Sequence, residues 1–301
     1  MKNTNNVIDE LTKSLASLEQ NRKLTLILHV GTPKTGTTSL QTYLQKKQSK
    51  LRRKGILYPH NLEKLQNPTA PKHQWFEKNL TSLHLDFFVE NFKNIISQIT
   101  EETHTIILSS EGIYNYWWDF PDESKRVLSQ LSILFTTQVW VWFREPLAFI
   151  ESYYKQCIRN PQVEGNPCYG KDLSFSQMIN IDWFAQHLNY QGFLSECETV
   201  FGKGKISAFK YEDDVVQEVM QELGLTTPHD NPTPRQNQSL NNPTTALLKT
   251  INQLNIKAKD KERLMPHIKE INNILATYSD QPLIDDESRN KIMTLFQPIE
   301  A

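Results

Sequence analysis

An apolar run, LTLILHV at 24–30, stops at Gly31, and a second glycine, Gly36, stands five residues later where a helical pattern begins. Few arrangements satisfy an apolar strand, a loop opened and closed by glycine, and an immediate helix. Loop amides and the positive end of the helix dipole then converge on one point, which makes an anion site. Glycine at both ends lets backbone approach an anion closely. The spacing is the G-x-x-x-x-G of a phosphate loop. Thr37, however, follows the second glycine, where the nucleoside-triphosphatase pattern has lysine. The lysine here lies inside the loop, at Lys34. The plainer alternative is a strand-to-helix turn that needs glycine for its conformation alone.

The rest of the chain repeats the strand–helix alternation. Val7, Leu11, Leu15 and Leu18 recur at helical spacing ahead of the first strand. Leu40, Tyr43, Leu44 and Leu51 then share a helix face closed by Gly55, and ILYP at 56–59 reads as a short strand. Further strands are expected at 105–110, 138–143 and 205–211, with helices over 75–100, 122–134, 146–159, 183–200 and 214–223. Residues 60–74, 160–173 and 226–243 read as loops, and two or three helices finish the chain. Apolar strands alternating with helices predict an α/β fold of three layers. Its central sheet is mostly parallel, carries a P-loop-like phosphate-binding loop, and is followed by a helical C-terminal extension. The expectation is one domain over 1–301: an N-terminal helix in 1–23, a nucleotide-binding core in 24–240 and the extension in 241–301. Ligands of such sheets bind at the carboxyl ends of the strands.

Charge narrows the function classes. Thirty-three Lys and Arg face 34 Asp and Glu, a net charge of −1. That balance lacks the basic excess of a non-specific nucleic-acid binder. It is uneven along the chain: residues 22–62 hold nine Lys/Arg and no Asp/Glu, a local field that favours an anionic ligand. No apolar run approaches the roughly 20 residues of a membrane span. The polar N-terminus has no signal-peptide core, and Cys157, Cys168 and Cys197 have no C-x-x-C spacing. These features read as a cytoplasmic protein without structural disulfides, zinc or a membrane partner. The sequence does not define an oligomeric state.

A second anion site is encoded downstream. The strand QVWVWF ends in Arg144-Glu145-Pro146, and Ser152 lies eight residues after Arg144 in the following helix. A guanidinium offers a fork of donors suited to phosphate, and a serine two turns into the helix can share its face. Taken alone, a strand-end arginine paired to a carboxylate would be the default. The two motifs occur in order, about 110 residues apart.

Together, TPKTGTT and REPLAFIESYY resemble the signature of sulfotransferases that use 3′-phosphoadenosine 5′-phosphosulfate (PAPS), bacterial-type soluble members in particular. The resemblance implies that Pro33, Lys34, Thr35, Gly36, Thr37, Thr38 and Ser39 hold the 5′-phosphosulfate. It implies also that Arg144 and Ser152 grip the 3′-phosphate. The stretch from Arg235 to Ser239 resembles the late loop that bacterial members close over the nucleotide, making Arg235 a further contact. KISAFKYEDD resembles the family's late strand and is read as structural. The resemblance spans about 24–240 and says nothing of the last 60 residues.

Sulfuryl transfer needs charge neutralisation, in-line positioning and a base for the acceptor proton. Lys34 and the loop amides can supply the first without a metal. For the base, Glu111 stands just past the strand at 105–110, where family members carry histidine or glutamate. Its plainer role is a carboxylate at a helix start. His73, after the proline loop, is the second candidate, and a surface loop histidine is its plainer reading. His29 lies within a strand and reads as packed or hydrogen-bonded. Beyond Glu111 come Tyr114, Tyr116, Trp117, Trp118, Asp119 and Phe120, and residues 94–124 hold six carboxylates and no Lys/Arg. Aromatic faces beside carboxylates suit a sugar ring or a cation. An ordinary packing segment is the alternative. The expected enzyme passes the sulfuryl group of PAPS to a hydroxyl or nitrogen of a small neutral or cationic acceptor, such as a saccharide or secondary metabolite. It releases adenosine 3′,5′-bisphosphate. The rivals are a P-loop kinase or NTPase and a non-catalytic nucleotide-binding module.

Overall fold

The computed structural model describes residues 4–18, 23–60, 72–212, 214–225, 240–254, 256–276 and 282–296. In chain order the elements begin with α1 (Thr4–Ala16), β1 (Thr25–His29), α2 (Thr37–Lys46), α3 (Gln48–Arg52) and β2 (Ile56–Leu57). Next are α4 (Trp75–Thr81), α5 (Leu85–Ile96), β3 (Thr105–Ser109), α6 (Gly112–Asn115), α7 (Asp122–Leu134) and β4 (Thr136–Phe143). The remainder is α8 (Pro146–Arg159), α9 (Phe175–Met178), α10 (Asp182–Ala185), α11 (Tyr190–Phe201), β5 (Ile206–Lys210), α12 (Val215–Glu222), α13 (Asn242–Gln253), α14 (Ala258–Leu275) and α15 (Asp286–Leu295). They fall into two compact units, Met1–Arg144 with Gly192–Gln236, and Glu145–Gln191 with Asn237–Ala301. No described helix is long and apolar enough to cross a membrane.

The first unit is the expected three-layer α/β sandwich. Its five strands run in the order β2-β3-β1-β4-β5, and every neighbouring pair is parallel. β1 is the middle strand, with His29 opposite both Ser109 and Trp140. A strand covered on both faces should read as a continuous apolar run, as LTLILHV does. On one face, Ile27, Ile107, Trp140 and Trp142 pack against Leu40 and Leu44 of α2 and Val215, Val216, Val219 and Met220 of α12. Away from that cluster, α1 contacts both α5 and α7, and α7 contacts β4.

Two expected helices are each broken in two. The pattern over 40–51 divides at Lys47 (φ −102°), and that over 75–100 divides at Ser82–His84, where Leu83 is left-handed (φ 52°). The second break has a packing cause. Folding α5 back on α4 brings Trp75 and Phe76 onto Phe88 and Phe92, with ring centroids 5.4–6.1 Å apart. One of these contacts is edge-to-face and three are tilted, and aromatic pairs of this kind add about 0.5–1.5 kcal/mol each beyond the area they bury. The pattern over 183–200 likewise resolves into α10, a 3-10 turn at Gln186–Leu188 and α11.

The second unit is helical and is built on α8. Pro146 occupies its first turn, and the Glu145 carboxylate accepts from the amides of Leu147 (3.1 Å) and Ala148 (2.7 Å). At the other end, buried Lys261 of α14 donates to Ile158 O (2.8 Å), Asn160 O (2.6 Å) and Asn252 Oδ1 (2.6 Å). Three acceptors match the three donors of an ammonium group. This cluster ties α8, α13 and α14 together. Lys261→Met keeps the apolar stem but strands Asn160 O and Asn252 Oδ1, each costing about 1–3 kcal/mol, while Ile158 O still accepts from Asn252 Nδ2 at 3.0 Å. A loss of roughly 2–4 kcal/mol of unfolding free energy is expected in urea titrations. A loss under about 0.5 kcal/mol would show that water replaces the ammonium.

Candidate functional site

The site grows from the position of β1. Because β1 is central, the residues leaving it lie between the exits of β3 and β4. The pairing with β4 continues past the last strand residue: Trp142 N–H donates to Gly31 O (2.7 Å) and Thr32 N–H to Trp142 O (3.0 Å). The Thr32 hydroxyl donates to the same carbonyl (3.0 Å), and the Thr35 hydroxyl closes the turn onto Thr32 O (2.6 Å). Thr32 and Thr35 are fully buried, so the loop is held from beneath by its own hydroxyls.

Positive φ angles shape the loop: Gly31 at 104°, Lys34 at 69° and Gly36 at 74°. A left-handed lysine costs on the order of 1 kcal/mol and marks a conformation imposed by its surroundings. At Gly36 a Cβ would sit 3.2 Å from Val215 Cγ1, and at Gly31 it would sit 3.4 Å from the backbone of Glu111. Gly36 begins α2 with no side chain capping its N-terminus, and the first turn carries no acid. An uncapped helix start beside a half-buried lysine is suited to an anion.

The exits of the neighbouring strands supply the flanks. From β4, Arg144 Nη1 approaches Lys34 O at 3.4 Å, setting a second cation beside the loop. From β3, half-buried Glu111 accepts a hydrogen bond from the buried Thr37 hydroxyl at the start of α2. The first unit thus brings together Lys34, Thr37, Glu111 and Arg144. Pro33, Thr35 and Gly36 lie in the same loop, and Thr38 and Ser39, both half-buried, follow in the first turn of α2. Ser152 lies buried in the second turn of α8, in the second unit. Arg235 falls outside the described residues.

His73 is fixed inside the first unit. Its Nδ1 accepts from Ser109 N–H (3.1 Å), which leaves the proton on Nε2, where it is donated to Pro59 O (3.1 Å). Burial lowers its pKa to about 4, partly opposed by those backbone bonds. Neither ring nitrogen retains a lone pair for a substrate proton. His29 is also buried, with Nδ1 2.8 Å from Ser109 Oγ and a pKa lowered by desolvation to about 3. Gln41 Nε2 donates to the same hydroxyl at 3.1 Å.

The sequence reading missed Glu77. This α4 carboxyl is 3% exposed, accepts from Ser110 Oγ at 2.6 Å, and is pushed up to about 8, chiefly by desolvation. The available signal was its spacing, one helical turn after His73 and three residues before apolar Leu80, which puts an acid on a buried face. The aromatic stretch is mostly core. Tyr114 and Trp117 are fully buried and pack on Phe193 at 4.7 and 5.4 Å, and Trp117 Nε1 donates to Glu196 at 3.0 Å. Tyr116 and Trp118 are half-buried, and Asp119 is exposed. Among the described residues, no three His, Cys, Asp or Glu side chains are grouped to hold a metal.

The raised pKa of Glu77 has a sign that can be measured. The folded state holds this proton up to about pH 8, whereas the unfolded carboxyl releases it near 4.5. Its contribution to stability is therefore full below about pH 4.5 and is lost as pH rises toward and through 8. The slope reaches at most about 1.4 kcal/mol per pH unit. His29 and His73 act oppositely below pH 6.5, since the unfolded chain binds their protons more readily. Subtracting the Glu77→Gln stability profile from the parent profile isolates the acid. A downward slope between about pH 5 and 8 is expected in that difference, and a flat difference would mean that Glu77 is ionised in the fold.

No protein-family model matches the chain, and no curated protein matches it. Among solved structures, one match is the crystal structure of a sulfotransferase from Alicyclobacillus acidocaldarius. It is 15% identical, covers 75% of this chain and 91% of that one, and superposes with a TM-score of 0.42. A likeness this loose assigns nothing to the present chain.

Proposed function

We propose that the protein is a PAPS-dependent sulfotransferase acting on a hydroxyl or nitrogen of a small neutral or cationic acceptor. One observation carries the reading. The Gly31–Gly36 loop, with Lys34 inside it, is flanked by an acid at the exit of β3 and an arginine at the exit of β4. The donor set fits a phosphosulfate: an uncapped helix start, a lysine and loop amides, with a guanidinium for a second phosphate. In this reading PAPS supplies the sulfuryl group and departs as adenosine 3′,5′-bisphosphate. Lys34 and the amides of Gly36–Ser39 offset charge on the 5′ side, where it grows as the sulfur–oxygen bond breaks. Arg144 holds the 3′-phosphate. Glu111 takes the acceptor proton, and Thr37, which donates to it, keeps that carboxylate turned to the loop. His73 is a structural tie between β3 and the segment at Pro59. Half-buried Tyr116 and Trp118 and exposed Asp119 offer an aromatic and acidic surface for a sugar or a cation. Incubation with PAPS and a panel of neutral and cationic acceptors, read by mass, tests the assignment. A gain of one sulfuryl group on an acceptor is expected, and hydrolysis of ATP without it would favour the NTPase.

Nucleotide preference is a sharper test. Adenosine 3′,5′-bisphosphate should bind more tightly than AMP by about 10- to 150-fold, the value of one charge-assisted contact of roughly 1.5–3 kcal/mol. The preference should shrink in Arg144→Ala. Equal affinities by calorimetry would remove the 3′-phosphate site.

Turnover should separate the remaining roles. Lys34→Ala is expected to lower kcat by on the order of 10²–10³ with little change in product affinity, since its charge matters most in the transition state. Glu111→Gln keeps shape without a proton acceptor and should cost about 10²–10⁴ in kcat. Near-parental turnover in either variant reduces that residue to a structural part of the loop.

A further inference from the structure

We propose that Glu77 is a positioning residue that sets Glu111 against the anion loop by clamping the corner Ser110–Glu111–Gly112; this rests on the sulfotransferase reading. The clamp has two jaws. The Ser110 hydroxyl donates to Glu77 Oε2 at 2.6 Å, and Ser110 N–H donates to His29 O at 3.0 Å, so the residue before Glu111 is held on both sides. On the residue after it, Gly112, a Cβ would lie 2.5 Å from Glu77 Cδ and Cγ and 2.6 Å from Oε1. Only glycine leaves room for the carboxyl there. Glu111 is therefore caught between a hydrogen-bonded neighbour and a sterically seated one. Its side chain lies against Gly31 on the loop and accepts from Thr37.

The surroundings of Glu77 fit a neutral clamp. Lys78 on its own helix and Lys72 in the preceding segment are the cations that act on it, and His73 beside it is neutral. α5 turns Leu85, Phe88, Val89 and Phe92 inward while Asp86, Glu90 and Lys93 are exposed. α6 brings Gly112, Ile113, Tyr114 and Asn115, with no acid or base, and α7 meets α4 through the Ser124 hydroxyl on Leu80 O (2.6 Å). An uncharged acid can accept from Ser110 without adding a second negative charge behind Glu111. Glutamine retains that geometry; alanine does not.

The test compares Glu77→Ala, Glu77→Gln and Ser110→Ala in the full chain. Glu77→Ala and Ser110→Ala should lower kcat for sulfuryl transfer roughly 10- to 100-fold, the cost of misplacing a reacting group by about 1 Å. Affinity for adenosine 3′,5′-bisphosphate should change less than about threefold. Glu77→Gln should recover most of kcat. A loss of thermal stability with kcat unchanged in the alanine variants would overturn the proposal. Crystal structures of the same variants give an answer independent of activity: the Thr37–Glu111 hydrogen bond should be lost in Glu77→Ala and kept in Glu77→Gln. An intact bond in both alanine variants overturns the clamp. If the parent protein transfers no sulfuryl group to any acceptor, the proposed function fails, and the crystallographic comparison alone decides whether Glu77 positions Glu111. Should Glu77→Ala not fold, Ser110→Ala carries both readouts.

Discussion

The feature on which the site depends is the continuation of the β1–β4 pairing beyond the end of β1. Two backbone bonds between Gly31–Thr32 and Trp142, with the Thr32 hydroxyl added, make the first half of the loop a stiff extension of the central strand. A loop free at this point would have to be ordered by its ligand, at about 1–2 kcal/mol per residue. Here that ordering is completed by the sheet. The left-handed turn at Lys34 and the helix start at Gly36 then follow in fixed positions, and each neighbouring strand exit falls beside the loop. Sheet order alone decides which exits these are. With β3 and β4 on either side of β1, the residues within reach are those just after Ser109 and just after Phe143.

Where the loop and its flanks are encoded by neighbours in sequence, they were legible. The strand, the glycine loop and the helix are consecutive, so residue type and spacing were enough, and Glu111 and Arg144 could be read because each directly follows an apolar strand. α7 and α8 have the boundaries that their sequence patterns predict. What failed to read was whatever depends on distant partners. The bend between α4 and α5 exists so that Trp75 and Phe76 can meet Phe88 and Phe92, and no local propensity at Ser82–His84 announces it. His73 read as a loop residue because its partners, Pro59 and the Ser109 amide, are 14 and 36 positions away. Glu77 was passed over for the same reason. Its meaning comes from Ser110 and Gly112, 33 and 35 positions on.

The ionisable groups behind the loop explain how such a site can favour an anion in a chain with no net basic excess. His29, His73 and Glu77 lie under or beside the strand exits, and each is driven by burial to its neutral form near pH 7: the histidines to about 3 and 4, the acid to about 8. A charge on any of them would act through low-dielectric protein, where it reaches further than one in water. With all three neutral, the charged side chains at the exits are Lys34 on the loop, Arg144 after β4 and Glu111 after β3. Burial thus works as a filter. The chain carries polar side chains into its core to fix the strand exits through Ser109 and Ser110, and desolvation removes their charge. The charged groups that remain are the ones at the strand exits.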